Sequence, residues 1–234
     1  MEKIDVIMLV IASRGIRYDS MINNYWSKII KYVKKYNYSI KIFLIFGNNV
    51  KTDDLDITDD DKLILDVPDG LIPGILNKTI EAFKLVNAIY NYKHILRTNL
   101  SSFFIIDNVM QISDKLENTN VYSGIIGNYR NIPFISGAGI WLSKDNIEYI
   151  INNCLLLDSN IFDDLSIAKL LINKKKSRLN RFDLTNGNEI HDKTALLNNI
   201  INNKHYHIRI KTKNIQLDLD YMTNFANIYK IDVI

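Results

Sequence analysis

The sequence HILRTNLSSF, residues 94–103, begins as a short apolar run and becomes polar where a buried strand would end. In an open α/β sheet, ligands bind in the crevice beyond the carboxyl ends of the strands. Arg97, Asn99, Ser101 and Ser102 are therefore expected where a substrate would be contacted. Asn and Ser are also preferred N-cap residues of helices, so a purely structural role for this stretch stays open.

Apolar runs elsewhere in the chain alternate with segments of helical periodicity. Val6–Ala12 and Ile40–Phe46 are uninterrupted apolar runs, which are typical of strands buried on both faces of a parallel sheet. Between them, apolar residues recur at helical spacing from Met21 to Val33. This alternation predicts a three-layer α/β domain with a mostly parallel central sheet.

The same patterns predict the remaining elements. Further strands are predicted at Leu63–Val67, His94–Thr98, Val121–Ile126, Phe134–Leu142, Leu179–Leu184 and His205–Lys211. Further helices are predicted at Pro73–Tyr90, Phe103–Leu116, Ser143–Asn153, Asp163–Ile172, Lys193–Asn202 and Ile215–Tyr229.

Length and composition limit the classes of protein to consider. A chain of 234 residues suits one domain over residues 1–234, and 47% hydrophobic with 24% charged residues is typical of a packed core. The net charge of +3 is too small to indicate a nucleic-acid partner. The basic turn Lys174–Arg178 is interpreted as surface charge, with attraction of an anionic acceptor as the alternative. The single cysteine, Cys154, excludes an intramolecular disulfide and a cysteine-based zinc site.

The N-terminal segment lacks the features of a membrane or export sequence. Its apolar run is far shorter than the about 20 residues that a membrane-spanning helix needs. Glu2 and Asp5 precede that run, which is unfavourable for a signal peptide. We therefore expect no integral membrane segment and a cytoplasmic location.

Several well-known catalytic motifs are absent from the sequence. It has no G-x-G-x-x-G or phosphate-binding lysine loop, no G-x-S-x-G elbow and no H-E-x-x-H pair. Two matches to a D-x-D pattern, Asp54–Asp56 and Asp59–Asp61, lie in a loop that precedes a strand instead of following one. They are interpreted as solvated carboxylates and not as metal ligands.

Five segments carry a family resemblance. In chain order they are Arg17–Trp26, Asp66–Leu85, His94–Phe103, Phe134–Ser143 (FISGAGIWLS) and Asp163–Ala168 (DDLSIA). Their order and residues resemble GT-A-fold glycosyltransferases, in particular the fringe and β-1,3-galactosyltransferase group and related enzymes of large DNA viruses. The resemblance covers residues 5–170 and implies a GT-A-type, Rossmann-like fold. It also implies a nucleotide-sugar half over residues 1–100 and an acceptor and catalytic half over residues 101–234.

The resemblance implies a glycosyltransferase that moves a hexose from a nucleotide sugar, with a UDP-sugar favoured, to a hydroxyl group of a glycan acceptor. Inverting transfer needs one carboxylate to take the proton from the attacking hydroxyl. The family places this base in the segment matched by Asp163–Ala168, so Asp164 and then Asp163 are the candidates. A retaining glycosyltransferase and a catalytically inactive carbohydrate-binding domain are the alternatives.

The matched segments and the strand ends also indicate which residues would hold the donor. Ser13 and Arg14 follow the first strand and would contact the base or ribose. The glycines of FISGAGIWLS would let the backbone approach the donor sugar. The complete predicted donor site is Ser13, Arg14, Lys78, Arg97, Asn99, Ser101, Gly137, Gly139, Arg209 and Lys211.

The acidic metal-binding triplet of the family appears in this chain as Asn99–Ser101. Neutral Asn and Ser are poor ligands for Mg²⁺ or Mn²⁺, which prefer carboxylate oxygens. One interpretation keeps a weak metal site at this segment, assisted by His191 or His207. The other, which we favour, is metal-independent catalysis in which fixed cations neutralise the leaving diphosphate. Those cations would be Arg97, Arg209 and Lys211.

Overall fold

The computed structural model describes residues 3–185, 195–196, 199–200 and 204–231 of the chain. The strands are β1 (Lys3–Ile11), β2 (Ile40–Gly47), β3 (Lys62–Leu65), β4 (Asn91–Asn99), β5 (Ser102–Phe104), β6 (Tyr122–Tyr129), β7 (Ile132–Ser143), β8 (Ser177–Arg178), β9 (Phe182–Thr185) and β10 (His207–Lys211). The helices are α1 (Ile16–Met21), α2 (Ser27–Lys35), α3 (Gly74–Ile89), α4 (Ile106–Lys115), α5 (Lys144–Asn152), α6 (Asp163–Leu170) and α7 (Ile215–Ile228). A π-helical turn, Ile22–Trp26, joins α1 to α2.

Seven strands form the central sheet in the order β3-β2-β1-β4-β7-β6-β8. Strand β7 is antiparallel to its neighbours β4 and β6, and the other neighbouring pairs are parallel. This arrangement confirms the predicted α/β class with a mostly parallel sheet. A smaller sheet, β5-β10-β9, brings the late strand β10 to the carboxyl end of β4, where the Ile210 amide donates to the Ser101 carbonyl.

Helices cover both faces of the central sheet. Alternate residues of a strand point to opposite faces. Val6, Met8 and Val10 of β1 belong to a core shared with α2, α4 and α7. Ile7 and Leu9 belong to a second core shared with α3, α5 and α6. The uninterrupted apolar run of β1 therefore reflects burial on two sides, as the sequence predicts.

Two buried aromatic residues of the π-helical turn fix the polar stretch that follows β4. The indole Nε1 of Trp26 donates to the Leu100 carbonyl at 3.0 Å. The Phe104 amide donates to the hydroxyl oxygen of Tyr25 at 2.9 Å. Because both rings are fully buried, the two ends of this stretch are anchored to the helical layer.

Two predicted elements differ from the structure. The predicted helix Phe103–Leu116 begins only at Ile106, because Ser102–Phe104 pair with β10, a strand far along the chain. The predicted strand Leu179–Leu184 forms only from Phe182, as β9 (Phe182–Thr185), and the short strand β8 just before the predicted range belongs to the other sheet. The predicted helix Lys193–Asn202 falls largely outside the described residues.

Within the described ranges, no helix combines the length and the apolar character that crossing a bilayer requires. The cytoplasmic location expected from the sequence stays a prediction.

Candidate active site

A cavity of about 500 Å³ opens at the carboxyl ends of β1 and β4. Residues from the middle of β7, the start of α6 and strand β10 complete its wall. This is the place where open α/β sheets bind ligands. The predicted site residues that line it are Ser13, Arg97, Asn99, Ser101, Gly137, Asp163, Asp164, Arg209 and Lys211.

Arg97 and Asp163 form a buried ion pair, with 2.5 Å between Nη2 and Oδ2. Their side chains are only 3% and 8% exposed. Arg97 also donates to the carbonyl of Gly137, so its guanidinium has protein partners on two sides. Burial raises the pKa of Asp163, and the positive charge of Arg97 opposes that shift. The pair ties β4 to α6, and Arg97 is consequently not a free cation for an anionic ligand.

Asp164 lies half-buried on the cavity wall and is oriented by two backbone amides. Its Oδ2 accepts a hydrogen bond from the Gly137 amide at 2.9 Å, and its Oδ1 accepts one from the Leu165 amide at 2.9 Å. A Cβ atom at position 137 would lie 2.8 Å from Nη1 of Arg97 and 3.3 Å from Oδ2 of Asp164. Gly137 therefore lines the cavity and also links the two acidic residues through its backbone. An oriented carboxylate beside a cavity is what a general base requires.

Arg209 and Lys211 of β10 supply positive charge to the same cavity. Arg209 donates to Oδ1 of Asn99 and to the carbonyl of Ser101, the latter at 3.4 Å. Burial, with the positive charge of Arg181, lowers the pKa of Arg209 to about 10, and burial also lowers the pKa of Lys211. The Arg209 guanidinium is therefore a cation at neutral pH. Among the described residues, neither Arg209 nor Lys211 has a carboxylate within ion-pair distance, so both are available to an anionic ligand.

Arg14 lies outside the cavity, although the sequence predicts it in the donor site. Its guanidinium pairs with Asp19 and Asp54, each at 2.7 Å. Asp54 belongs to the acidic loop before β3, and Asp56 of the same loop pairs with Lys31 at 2.9 Å. Two carboxylates of this loop are thus used in ion pairs, which attach it to Arg14 ahead of α1 and to Lys31 of α2.

Lys78 also lies outside the cavity, as a buried anchor of α3. Its side chain is fully buried, and its Nζ donates to the Ala12 carbonyl at 2.7 Å and to the carboxylate of Asp69. Burial lowers the pKa of Lys78, and the charge of Asp69 opposes that shift. Because Ala12 directly follows β1, this lysine supports the strand end from behind and not from the cavity side.

Lys78→Ala is expected to destabilise the protein by about 3 kcal/mol, since it leaves Asp69 and a buried carbonyl without their partner. Chemical denaturation measures the change in the free energy of unfolding. Lys84→Ala on the same helix, where the lysine is 41% exposed, is the control and is expected to change it by less than about 0.5 kcal/mol. Equal effects of the two substitutions would contradict the anchoring role.

Gly139 and His207 pack against each other away from the cavity. A Cβ atom at position 139 would lie 2.9 Å from Nδ1 of His207. The His207 ring stacks on Phe104 with 4.5 Å between centroids, and its Nε2 lies 3.0 Å from the Ser102 hydroxyl. Burial lowers the pKa of His207 well below its usual value, so the ring is neutral. The predicted donor contact of Gly139 and the predicted metal contact of His207 therefore do not agree with their positions.

The described side chains at the strand end do not fit a divalent cation. The amide oxygen of Asn99 accepts from Arg209, and the carboxylate of Asp163 pairs with Arg97. Within the described part of the chain, no group of three or more His, Cys, Asp or Glu side chains has the arrangement of a metal site. Mg²⁺ and Mn²⁺ need several free oxygen ligands. The remaining predicted ligand, His191, lies outside the described residues.

Sequence analysis missed the apolar side of the cavity, which includes Tyr18, Leu71, Tyr129, Phe134 and Phe162. Tyr18 follows the end of β1 closely, and a position just after a strand end could have indicated that it lies at the ligand-binding edge of the sheet. Tyr129 and Phe162 carried none, because an aromatic residue in a hairpin or loop has the same local pattern whether it faces solvent or a ligand.

No protein-family model matches this chain, and no curated protein matches its sequence. The solved structures that are similar to it at a low level include the following two. The galactosyltransferase LgtC, solved with donor and acceptor sugar analogues, is 10% identical with a TM-score of 0.45, over 77% of this chain and 76% of that chain. HddC from Yersinia pseudotuberculosis is 16% identical with a TM-score of 0.39, over 62% of this chain and 79% of that chain. At this level neither structure carries a functional conclusion, and the resemblance to the fringe and viral groups stays a prediction.

Proposed function

We propose that this protein is a glycosyltransferase that transfers a sugar from a nucleotide sugar to a hydroxyl group of a glycan. The observation that carries the proposal is the division of charge within one cavity. An oriented carboxylate, Asp164, lies on one wall, and two cations without carboxylate partners among the described residues, Arg209 and Lys211, lie on another. Transfer of a sugar from a nucleoside diphosphate needs both features, because the leaving group is anionic and the acceptor hydroxyl must lose a proton.

The two cations would hold the diphosphate of the donor. Charge-assisted hydrogen bonds to phosphate are among the strong ones, and a guanidinium can bind two phosphate oxygens at once. Asn99 accepts from Arg209 and so keeps that guanidinium at the strand end. As the leaving group departs, its growing negative charge would be stabilised by groups already in place, which lowers the barrier without reorganisation.

Asp164 would act as the general base. The acceptor oxygen forms a bond to the anomeric carbon while the bond from that carbon to the diphosphate oxygen breaks. The acceptor proton passes to Asp164, and the electron pair of the broken bond leaves with the nucleoside diphosphate. Attack from the face opposite the leaving group inverts the configuration. Asp163 would act indirectly, by holding Arg97 and through it the Gly137 backbone that orients Asp164.

We further propose that transfer needs no divalent cation. This rests on the donor set, since the oxygen atoms of Asn99 and Asp163 are already bound to guanidinium groups. A UDP-sugar is the first donor to test, on the strength of the sequence resemblance. The proposed donor half is residues 1–100, and β10 adds the phosphate-binding cations from the other half of the chain.

A panel of nucleotide sugars tests the function. UDP-, GDP- and CMP-sugars are incubated with the protein in excess EDTA or in Mn²⁺, and released nucleotide is quantified. We expect turnover of one diphosphate donor, at similar rates in both conditions, and little turnover of CMP-sugars, which have a single phosphate. NMR of the product anomer then distinguishes inversion from retention. Binding without turnover would favour the inactive carbohydrate-binding alternative, and strict dependence on Mn²⁺ would contradict the metal-independent proposal.

A further inference from the structure

The cavity has an aromatic rim that the donor chemistry does not use. Tyr129 and Phe162 line the cavity although they are 49% and 50% exposed. Large aromatic side chains usually bury most of their surface, and clustered exposed ones mark ligand grooves. Neither ring fills a core, and both lie beside the same cavity. This arrangement is typical of a surface that binds a ligand.

The rim lies on the elements that carry the proposed base. Phe162 directly precedes Asp163 at the start of α6. Tyr129 ends β6 at a two-residue turn to β7, the strand that contributes Gly137. Arg130 and Asn131 in that turn have φ values of 49° and 65°, typical of a tight type I′ hairpin. Tyr129 is therefore held by a defined turn next to its paired strand and is not part of a loose loop.

We infer that Tyr129 and Phe162 form the subsite for a neutral pyranoside acceptor, an inference that rests on the proposed function. If the diphosphate occupies Arg209 and Lys211, the acceptor must enter from the wall that carries Asp164. A pyranose ring presents an apolar C–H face that packs on aromatic rings, and its hydroxyl edge needs polar partners.

Both kinds of contact are present at the rim. Arg130 lies 5.3 Å from the centre of the Tyr129 ring and covers part of it, while the ring still lines the cavity. Asn128, also on the cavity wall, uses its Oδ1 to accept from the Asn131 amide at 3.1 Å, so its NH₂ group is the part of the side chain that can donate to a sugar hydroxyl. An acidic sugar is disfavoured here, because its carboxylate would lie close to that of Asp164.

Steady-state kinetics on the full chain tests this subsite with methyl pyranosides as acceptors. Wild type, Tyr129→Ala, Phe162→Ala and the control Tyr36→Ala are compared, since Tyr36 is 55% exposed and lies outside the cavity. We expect each rim substitution to raise the KM for neutral methyl pyranosides about tenfold. Donor hydrolysis, in which water is the acceptor, is measured alongside and is expected to be unchanged in the control Tyr36→Ala.

The outcomes separate the two proposals. If wild type releases nucleotide and all four proteins have the same acceptor KM, the proposed acceptor subsite is wrong. A preference for methyl glucuronide over neutral sugars would also contradict it. Absence of nucleotide release from any donor would instead overturn the proposed function. In that event, saturation-transfer NMR with methyl β-galactoside still tests the rim, because loss of the signal only in the two rim variants would support a sugar-binding surface.

Discussion

Asp164→Asn is expected to lower the rate of sugar transfer about a thousandfold, because an amide cannot take the proton of the attacking hydroxyl. The substitution keeps the shape of the side chain. Its oxygen can still accept from the Leu165 or the Gly137 amide, so we expect a stability loss of only about 1 kcal/mol for the hydrogen bond that is lost. Donor affinity should not change, since the cations that would hold the diphosphate lie elsewhere on the wall. Transfer rates, donor titration by calorimetry and thermal unfolding measure the three quantities.

Asp158→Asn is the matched control for this substitution. Asp158 lies shortly before α6, pairs with Lys169 at 2.8 Å and does not line the cavity, so its rate should equal that of wild type. An Asp164→Asn rate within about tenfold of wild type would remove Asp164 from the proposed role. Asp163 would then be the next candidate, although its pairing with Arg97 makes it a poorer proton acceptor.

The central sheet and the strand-end site could be predicted because both follow from local patterns. A long apolar run such as Val6–Ala12 has few alternatives to a strand buried on two faces. Polar residues that follow such runs, including Asn99 and Ser101, then meet at one edge of the sheet, where the cavity is observed. The paired aspartates at the start of α6 were found through the resemblance, and the structure places Asp164 beside Gly137.

The partners of individual charged residues could not be predicted, because they are set by contacts between distant segments. Arg14 and Arg97 both lie at strand ends, yet Arg14 pairs with a loop carboxylate and Arg97 with Asp163. Lys78 has the spacing of an exposed helix residue but is buried against Asp69. No local signal distinguishes a cation that binds a ligand from one whose charge is used within the fold.

Strand β5 was not predicted from the sequence, for a related reason. Ser102–Phe104 continue smoothly into a helical pattern, and only pairing with β10 makes them a strand. That pairing also brings Arg209 and Lys211 to the cavity, so the element that the local pattern misassigned is the one that completes the site. The strongest test of this long-range arrangement is therefore to replace Arg209 and to measure binding of the nucleoside diphosphate.

Arg209→Ala is expected to weaken binding of the nucleoside diphosphate about 100-fold at pH 7, the loss of about 2.7 kcal/mol that a charge-assisted phosphate contact can contribute. Calorimetric titration in excess EDTA measures the dissociation constant. Arg14→Ala is the matched control, because the sequence predicts both arginines in the donor site, whereas in the structure Arg209 lines the cavity and Arg14 does not. Equal losses in the two variants would contradict the site.

The pH dependence gives an independent check with a defined sign. Burial lowers the pKa of Arg209 to about 10, so its guanidinium is a cation at neutral pH and loses its charge as the pH rises through that value; burial also lowers the pKa of Lys211. Diphosphate affinity of the wild type should therefore hold from pH 7 upward and then fall as the pH approaches 10. In Arg209→Ala this titration is absent, so the same fall should be shallower. An affinity that stays constant to well above pH 10 in the wild type would contradict binding of the diphosphate by Arg209.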